Sequence, residues 1–261
     1  METVRSLFKG ARGIILNLLL ITVVLCVFAL TIFFVSYYNA NLDVENSRAY
    51  YQENYVFANN CYVNQSERKQ KKSESDILLD VDVLSDAVAK SLALYPQKAQ
   101  AYIIDHWSIV FTPSPPSFAT EYMDGMSLSD YSAVTVPDIH TIFVYSEDVE
   151  SLTYILTHEF GHVLAYEYGA LDCTKEFEEL YYLFENSYKE NSPYSTLGYA
   201  TSSPSEFFAS TMQAYVTEPE WLWKEAPGVA DYMEELLKEE AYNNEIEHFW
   251  VRTQGLIRTI E

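Results

Sequence analysis

Two histidines four positions apart enclose a glutamate in the segment TYILTHEFGHVLAYEY, residues 153–168. On a helix, residues i and i+4 share one face, so the imidazoles of His158 and His162 can reach a single metal ion. Glu159 follows the first histidine, and its carboxylate can take the proton of a water molecule that the metal activates. The spacing therefore predicts a metal-dependent hydrolytic site in which Glu159 is the general base.

A hydrolytic zinc site takes a third protein ligand and keeps one coordination position open. The extended pattern with a nearby third histidine fails, because Ala165 and Tyr168 stand where it requires glycine and histidine. Asp172, Glu179 and Glu185 are acidic neighbours, but none of them matches a known ligand spacing. Local spacing thus leaves the third ligand open.

The elements that must position this motif follow from hydrophobic periodicity and from Pro and Gly positions. Strands are predicted at 109–112 and 141–145, and helices at 83–95, around the motif, and at 204–216, 230–241 and 246–257. Few strands before the motif and mostly helices after it predict an α+β domain. We place this domain at residues 76–261.

A long apolar run precedes the domain. No charged residue occurs between 13 and 35, and a helix of this length can cross a hydrocarbon core of about 30 Å. Arg5, Lys9 and Arg12 precede the run, which favours a cytoplasmic N-terminus. The run is longer than the apolar core of a cleaved signal peptide. We predict a single-pass protein of the cell membrane with four regions: a cytoplasmic N-terminus (1–13), a transmembrane signal anchor (14–35), a stalk (36–75) and an extracellular catalytic domain (76–261).

Charge and cysteine content limit the partners. The formal net charge is −22, from 16 basic and 38 acidic residues, which argues against binding to nucleic acids or anionic lipid head groups. Cys61 and Cys173 could pair in an oxidising compartment, although their spacing does not decide this.

A second segment, YATSSPSEFFASTM at 199–212, resembles the one that follows HExxH in the anthrax lethal factor-like metallopeptidases, which include the clostridial proline-proline endopeptidases. The resemblance covers residues 158–216. It implies a gluzincin-type fold, with a small sheet, an active-site helix and a mainly helical C-terminal part. It also implies Glu206 as the third zinc ligand and Tyr199 as a hydrogen-bond donor to the oxyanion of the tetrahedral intermediate. The family often has an acidic residue where this sequence has Ser210.

The residues themselves allow other roles. Ser203, Pro204 and Glu206 fit a helix start in which Ser203 is the N-cap and Glu206 closes a capping box. Tyr194 is a rival to Tyr199 as the donor.

We therefore expect an extracellular zinc endopeptidase with one Zn²⁺ per chain, whose peptide substrate pairs with an edge strand from 109–113 or 141–145. Two alternatives remain: a zinc hydrolase of a non-peptide cell-wall amide, and an inactive metallopeptidase-like surface binding protein.

Overall fold

The computed structural model describes residues 2–58, 60–63, 81–113, 132–146, 148–168, 171–191 and 199–238, without the side chains of 2–19, 33 and 36–41. The chain divides into two compact units, Met1–Ser47 and Arg48–Glu261. Helix α1, Glu2–Asn54, makes up the first unit and continues into the second.

The predicted transmembrane segment, 14–35, lies partly outside the residues whose side chains are described. Among the described residues, no helix has both the length and the apolar character needed to cross a bilayer. The membrane anchor therefore stays a prediction from the sequence.

The second unit contains a small mixed sheet. Its strands are β1 (Val56–Ala58), β2 (Cys61–Val63), β3 (Ser108–Phe111), β4 (Ala133–Val136) and β5 (Thr141–Val144), in the order β1-β2-β3-β5-β4. The central pairs β2–β3 and β3–β5 are parallel, whereas the outer pairs β1–β2 and β5–β4 are antiparallel. The predicted α+β class with a small sheet is confirmed.

Two expectations about this sheet need correction. Strands β1 and β2 lie within residues 36–75, which the sequence analysis assigned to a stalk, so part of that segment belongs to the sheet. The predicted strands at 109–112 and 141–145 are confirmed as β3 and β5, but both are interior strands of the described sheet. Neither can offer a free edge to a substrate, and β4 lies at the edge next to β5.

Both faces of the sheet are covered. Side chains alternate along each strand, so Ile109 and Phe111 face the large core formed with the helices, while Val110 faces the opposite side. On that opposite side Tyr51, from the end of α1, packs in a smaller cluster with Phe143. Burial on both faces explains why β3 and β5 are apolar at nearly every position.

Seven helices follow α1 among the described residues. They are α2 (Val81–Leu92), α3 (Gln97–His106), α4 (Leu152–Glu167), α5 (Lys175–Asn191), α6 (Pro204–Thr217), α7 (Pro219–Glu225) and α8 (Pro227–Leu237). The predicted helices at 83–95, 204–216 and 230–241 correspond to α2, α6 and α8. The predicted helix at 246–257 lies outside the described residues, and α3, α5 and α7 were not predicted.

Helix α4, which contains the HEFGH motif, lies in the middle of the domain. Leu152, Leu156, Phe160, Val163 and Leu164 are fully buried, as expected for a core helix. Side chains of neighbouring elements bind its backbone carbonyls: Ser91 Oγ on α2 donates to Thr153 O (3.1 Å), the Tyr95 hydroxyl in the turn after α2 donates to Thr157 O (2.7 Å), and Gln213 Nε2 on α6 donates to Tyr154 O (2.7 Å). These contacts fix the helix in position against α2 and α6.

Cys61 belongs to this core. Its thiol is fully buried and donates to the carbonyl oxygen of Ala58 at 3.1 Å, and burial raises its pKa to about 12. It is a free thiol, so the pairing with Cys173 that the sequence left open is not formed.

Candidate metal centre

Three side chains from two helices meet at one point. His158 and His162 lie one turn apart on α4, and Glu206 lies in the first turn of α6. Glu206 Oε2 is 3.0 Å from His158 Nε2 and 3.6 Å from His162 Nε2. One possible ligand atom from each residue lies within 4.8 Å of the other two, so these three residues could hold a metal ion.

The start of α6 determines where the Glu206 side chain is directed. Ser203 is the N-cap, its Oγ accepts the N–H of Glu206 at 3.2 Å, and Pro204 occupies the first turn. The Glu206 carboxylate does not complete a capping box, because it is directed at the two histidines instead. Helix capping therefore places Glu206 at a defined position and leaves its side chain available to the site.

Serines from α6 contact the outer nitrogens of both histidines. Ser210 Oγ lies 3.5 Å from His158 Nδ1, and Ser205 Oγ lies 3.4 Å from His162 Nδ1. A ligand histidine normally donates its other ring N–H to such a partner, which fixes the ring orientation and tautomer. Ser210 stands where the resembling family often has an acidic residue, so a neutral oxygen occupies that position here.

Helices α4 and α6, which carry the candidate ligands, approach each other very closely. A Cβ atom at Gly161 would lie 2.7 Å from Ala209 Cα and 2.9 Å from Ala209 O, so only glycine allows the observed approach. Gly161 lies between Glu159 and His162, and Ala209 lies one turn after Glu206. The spacing between α4 and α6 at this crossing therefore sets the distance between the histidines and Glu206.

Glu159 is buried, with 7% of its surface exposed, and has a partner on the sheet. The hydroxyl of Thr135, on the edge strand β4, donates to Glu159 Oε2 at 2.6 Å. The candidate base is thus held between its own helix and the sheet edge.

Tyr199 lies in a short 3-10 turn, Tyr199–Thr201, ahead of α6. Its ring centroid is 6.0 Å from that of His158. The hydroxyl of Tyr181, on α5, donates to the carbonyl oxygen of Thr201 at 3.0 Å and holds this turn. The structure therefore places Tyr199 beside the cluster, whereas its rival Tyr194 lies outside the described residues.

Electrostatics couple Glu206 to the histidines. Burial acts to lower the pKa of His162, but the charge and hydrogen bond of Glu206, with smaller contributions from Glu159 and Asp172, raise it to about 9. Burial also acts to raise the pKa of Glu206, and the two histidines reverse this and hold it far below its usual value. Without a metal, the cluster therefore keeps a proton between Glu206 and the histidines at neutral pH.

The other acidic candidates do not join the cluster. Glu179 is exposed and pairs with Lys175 at 3.4 Å, and Glu185 interacts with Tyr181 on α5. Asp172 acts on the pKa of His162 but has no atom within the group that could hold the metal. The sequence analysis did not identify Thr135, Ser205 or Gly161, because their roles depend on contacts between separate elements.

No protein-family model matches the chain, and no curated protein sequence matches it. Among solved structures, the fold is similar to that of the Pro-Pro endopeptidase from Paenibacillus alvei, with 17% sequence identity and a TM-score of 0.40, over 64% of this chain and 92% of that one.

Proposed function

We propose that this protein is a zinc-dependent endopeptidase with His158, His162 and Glu206 as ligands and Glu159 as general base. The observation that carries the proposal is the convergence of the HEFGH helix and Glu206, from a separate helix, on one point. The membrane anchor at 14–35 and the extracellular location belong to the same proposal on sequence grounds alone.

The donor geometry fits zinc. Ligands held about 2.0–2.1 Å from a tetrahedral ion are about 3.3 Å from one another. The two separations from Glu206 Oε2, 3.0 Å to His158 Nε2 and 3.6 Å to His162 Nε2, bracket this value. Two imidazoles and one carboxylate form a donor set used by catalytic zinc, whereas calcium and magnesium prefer oxygen ligands. When bound, zinc would acidify a water molecule and polarise the scissile carbonyl.

The chain supplies the remaining chemistry. Oε2 of Glu159 accepts the Thr135 hydroxyl, and the carboxylate keeps acceptor sites with which it takes the proton from the attacking water. Glu159 then gives that proton to the leaving amine. Tyr199 lies on the His158 side of the site, where its hydroxyl can donate to the developing oxyanion.

The edge strand favours an extended peptide as substrate. Tyr145 N–H donates to Ser132 O at 3.0 Å, which marks these opposed residues as a hydrogen-bonded pair. Hydrogen-bonded and non-hydrogen-bonded pairs alternate along an antiparallel ladder. The backbone of Val134 therefore bonds to β5, whereas Thr135 turns its backbone N–H and C=O away from β5. No described strand lies there. A peptide can pair with this edge by backbone hydrogen bonds, which a cell-wall amide without an extended backbone cannot reproduce.

The test uses the full-length protein, purified in detergent, loaded with zinc and assayed against a peptide library and cell-wall fragments. We expect peptide cleavage that a chelator abolishes and zinc restores. Glu159→Gln should retain zinc and lose at least about 10²- to 10⁴-fold in kcat, because it removes only the proton acceptor.

Glu206→Ala should lose zinc, whereas Glu179→Ala, a matched loss of an exposed carboxylate, should keep it. Zinc retained by Glu206→Ala would show that the third ligand is another residue. Cleavage of cell-wall fragments alone would assign the non-peptide hydrolase. Zinc binding without any hydrolysis would assign the inactive binding protein.

A further inference from the structure

The contact between Thr135 and Glu159 joins the sheet edge to the candidate base. Thr135 is the third residue of β4, and its neighbours Val134 and Val136 face the small cluster on the far side of the sheet. Its side chain therefore faces α4, where its hydroxyl donates to Glu159 Oε2 at 2.6 Å. The bond joins the edge strand β4 directly to helix α4.

A glutamate base needs such a restraint. Its side chain has three rotatable bonds, and a catalytic group works only when it is held within about 0.5 Å of the productive position. Thr135 provides a stiff anchor, because a β-branched side chain on a strand has few χ1 rotamers. By bonding to Oε2, its hydroxyl also limits rotation of the carboxylate group.

The direction of the Thr135 backbone N–H and C=O groups also matters. Thr112 N–H donates to Val144 O at 2.9 Å, so that carbonyl points to β3 and away from β4. Ala133, which lies opposite Val144, therefore belongs to a non-hydrogen-bonded pair. Such pairs recur at every second residue, so Thr135 also makes no backbone hydrogen bond to β5. Thr135 thus turns its peptide groups to the side of β4 on which no described strand lies, while its side chain holds the base.

We infer that Thr135 is a positioning residue: its hydroxyl orients Glu159, and its peptide groups set the register of the substrate strand relative to that base. This inference rests on the proposed peptidase function. A substrate paired at Thr135 is then placed next to the carboxylate that the same residue holds. The position of Thr135 thus determines both the register of the substrate and the orientation of Glu159.

The test compares Thr135→Val, which keeps the shape and removes the hydroxyl, with Thr135→Ser, which keeps the hydroxyl. Thr135→Val should lower kcat by about 10- to 100-fold, as expected when a catalytic group is misplaced. KM and zinc content should stay unchanged, and Thr135→Ser should remain within a few-fold of the wild type. Thr141→Val is the matched control, since that buried threonine of β5 bonds to Ile139 O and not to the base.

A second measurement is independent of activity. The Thr135→Val substitution is made in the wild type and in the Glu159→Ala variant, and the thermal unfolding of each metal-free protein is compared with that of its own background. The melting temperature should fall in the first case, because a buried carboxylate loses its donor. It should change little in the second, where no carboxylate remains. Equal falls in both backgrounds would show that the two side chains do not interact, and would overturn the inference.

The activity outcomes separate the two proposals. Suppose that the wild type cleaves peptides. The positioning role is then overturned if Thr135→Val is equally active, or if Thr135→Ser is as impaired as Thr135→Val. The peptidase function stays intact in both cases. Loss of zinc in Thr135→Val also overturns the positioning role, because the hydroxyl would then support the metal centre. A wild type that binds zinc but cleaves nothing overturns the proposed function and the inference with it.

Discussion

Gly161→Ala should damage the metal centre without touching a ligand. The added Cβ would meet backbone atoms of Ala209, at 2.7 Å from Cα and 2.9 Å from O. Backbone atoms inside a helix cannot rotate away as the end of a side chain can, so the two helices must separate. His158 and His162 then move away from Glu206, because the histidines lie on one helix and the glutamate lies on the other.

The size of the effect follows from the contact distances. Carbon atoms in van der Waals contact are about 3.5–4.0 Å apart, so the helices must separate by about 1 Å at the crossing. Zinc–ligand distances tolerate a deviation of about 0.2 Å, and a disturbed ligand set costs roughly 10- to 100-fold in affinity. The free energy of unfolding changes less. Overpacking costs about 1–3 kcal/mol, and the higher helix propensity of alanine offsets about 1 kcal/mol of this.

Zinc affinity is therefore the decisive quantity, and it is measured by competition with a chelating dye. Thermal unfolding of the metal-free protein is measured in parallel. Gly228→Ala is the matched control, since its Cβ would meet the Phe184 side chain at 3.0 Å and the Leu180 side chain at 3.3 Å, and both can rotate. We expect wild-type zinc affinity in the control and weakened affinity in Gly161→Ala. Wild-type affinity in Gly161→Ala would refute the idea that this crossing sets the ligand distances.

Three further predictions concern the oxyanion donor, the proton balance and the topology. Tyr199→Phe should lower kcat by about 10²- to 10³-fold with KM and zinc content unchanged; if Tyr194→Phe does so instead, the donor is Tyr194. The pKa of His162 is raised to about 9, above its ordinary value of 6.5, so the metal-free protein holds this proton at pH 7.5. Zinc needs the neutral ring, so its uptake should release at least about one proton per ion, measured by calorimetry in buffers of different ionisation enthalpy. No release would contradict the Glu206–His162 pairing. Protease treatment of intact cells should digest residues 36–261, whereas protection until lysis would invert the predicted orientation.

The sequence predicted the parts of the site that are local. His158, Glu159 and His162 lie within a single helix, where an i, i+4 spacing determines which side chains share a face. Glu206 came from the resemblance of its surrounding segment, because the relative position of two helices cannot be derived from the spacing along the chain. Its capping signals were correct for Ser203 and Pro204, yet they also suggested a different use for the Glu206 carboxylate.

The sheet was the harder part to predict. Strands β1 and β2 have three residues each, too few for an alternating pattern to show, and they follow a long helix in a segment rich in polar residues. Strand β4 follows a segment dense in Ser and Asp and carries only four residues, AVTV. With β4 unrecognised, the predicted edge fell on β3 and β5, and Thr135 could not be connected with Glu159. Strand pairing depends on partners far along the chain, which a local pattern does not report.

The parallel pairing of β2 with β3 has a consequence for how this protein should be produced. A fragment that begins at residue 76, the boundary suggested by composition, would lack β1 and β2 and leave β3 with an open edge. Ile109, Val110 and Phe111 would then present unpaired backbone groups beside an apolar surface, which is the usual template for strand-to-strand aggregation. A truncated form meant to stay in solution should therefore start no later than Arg48, where the second compact unit begins.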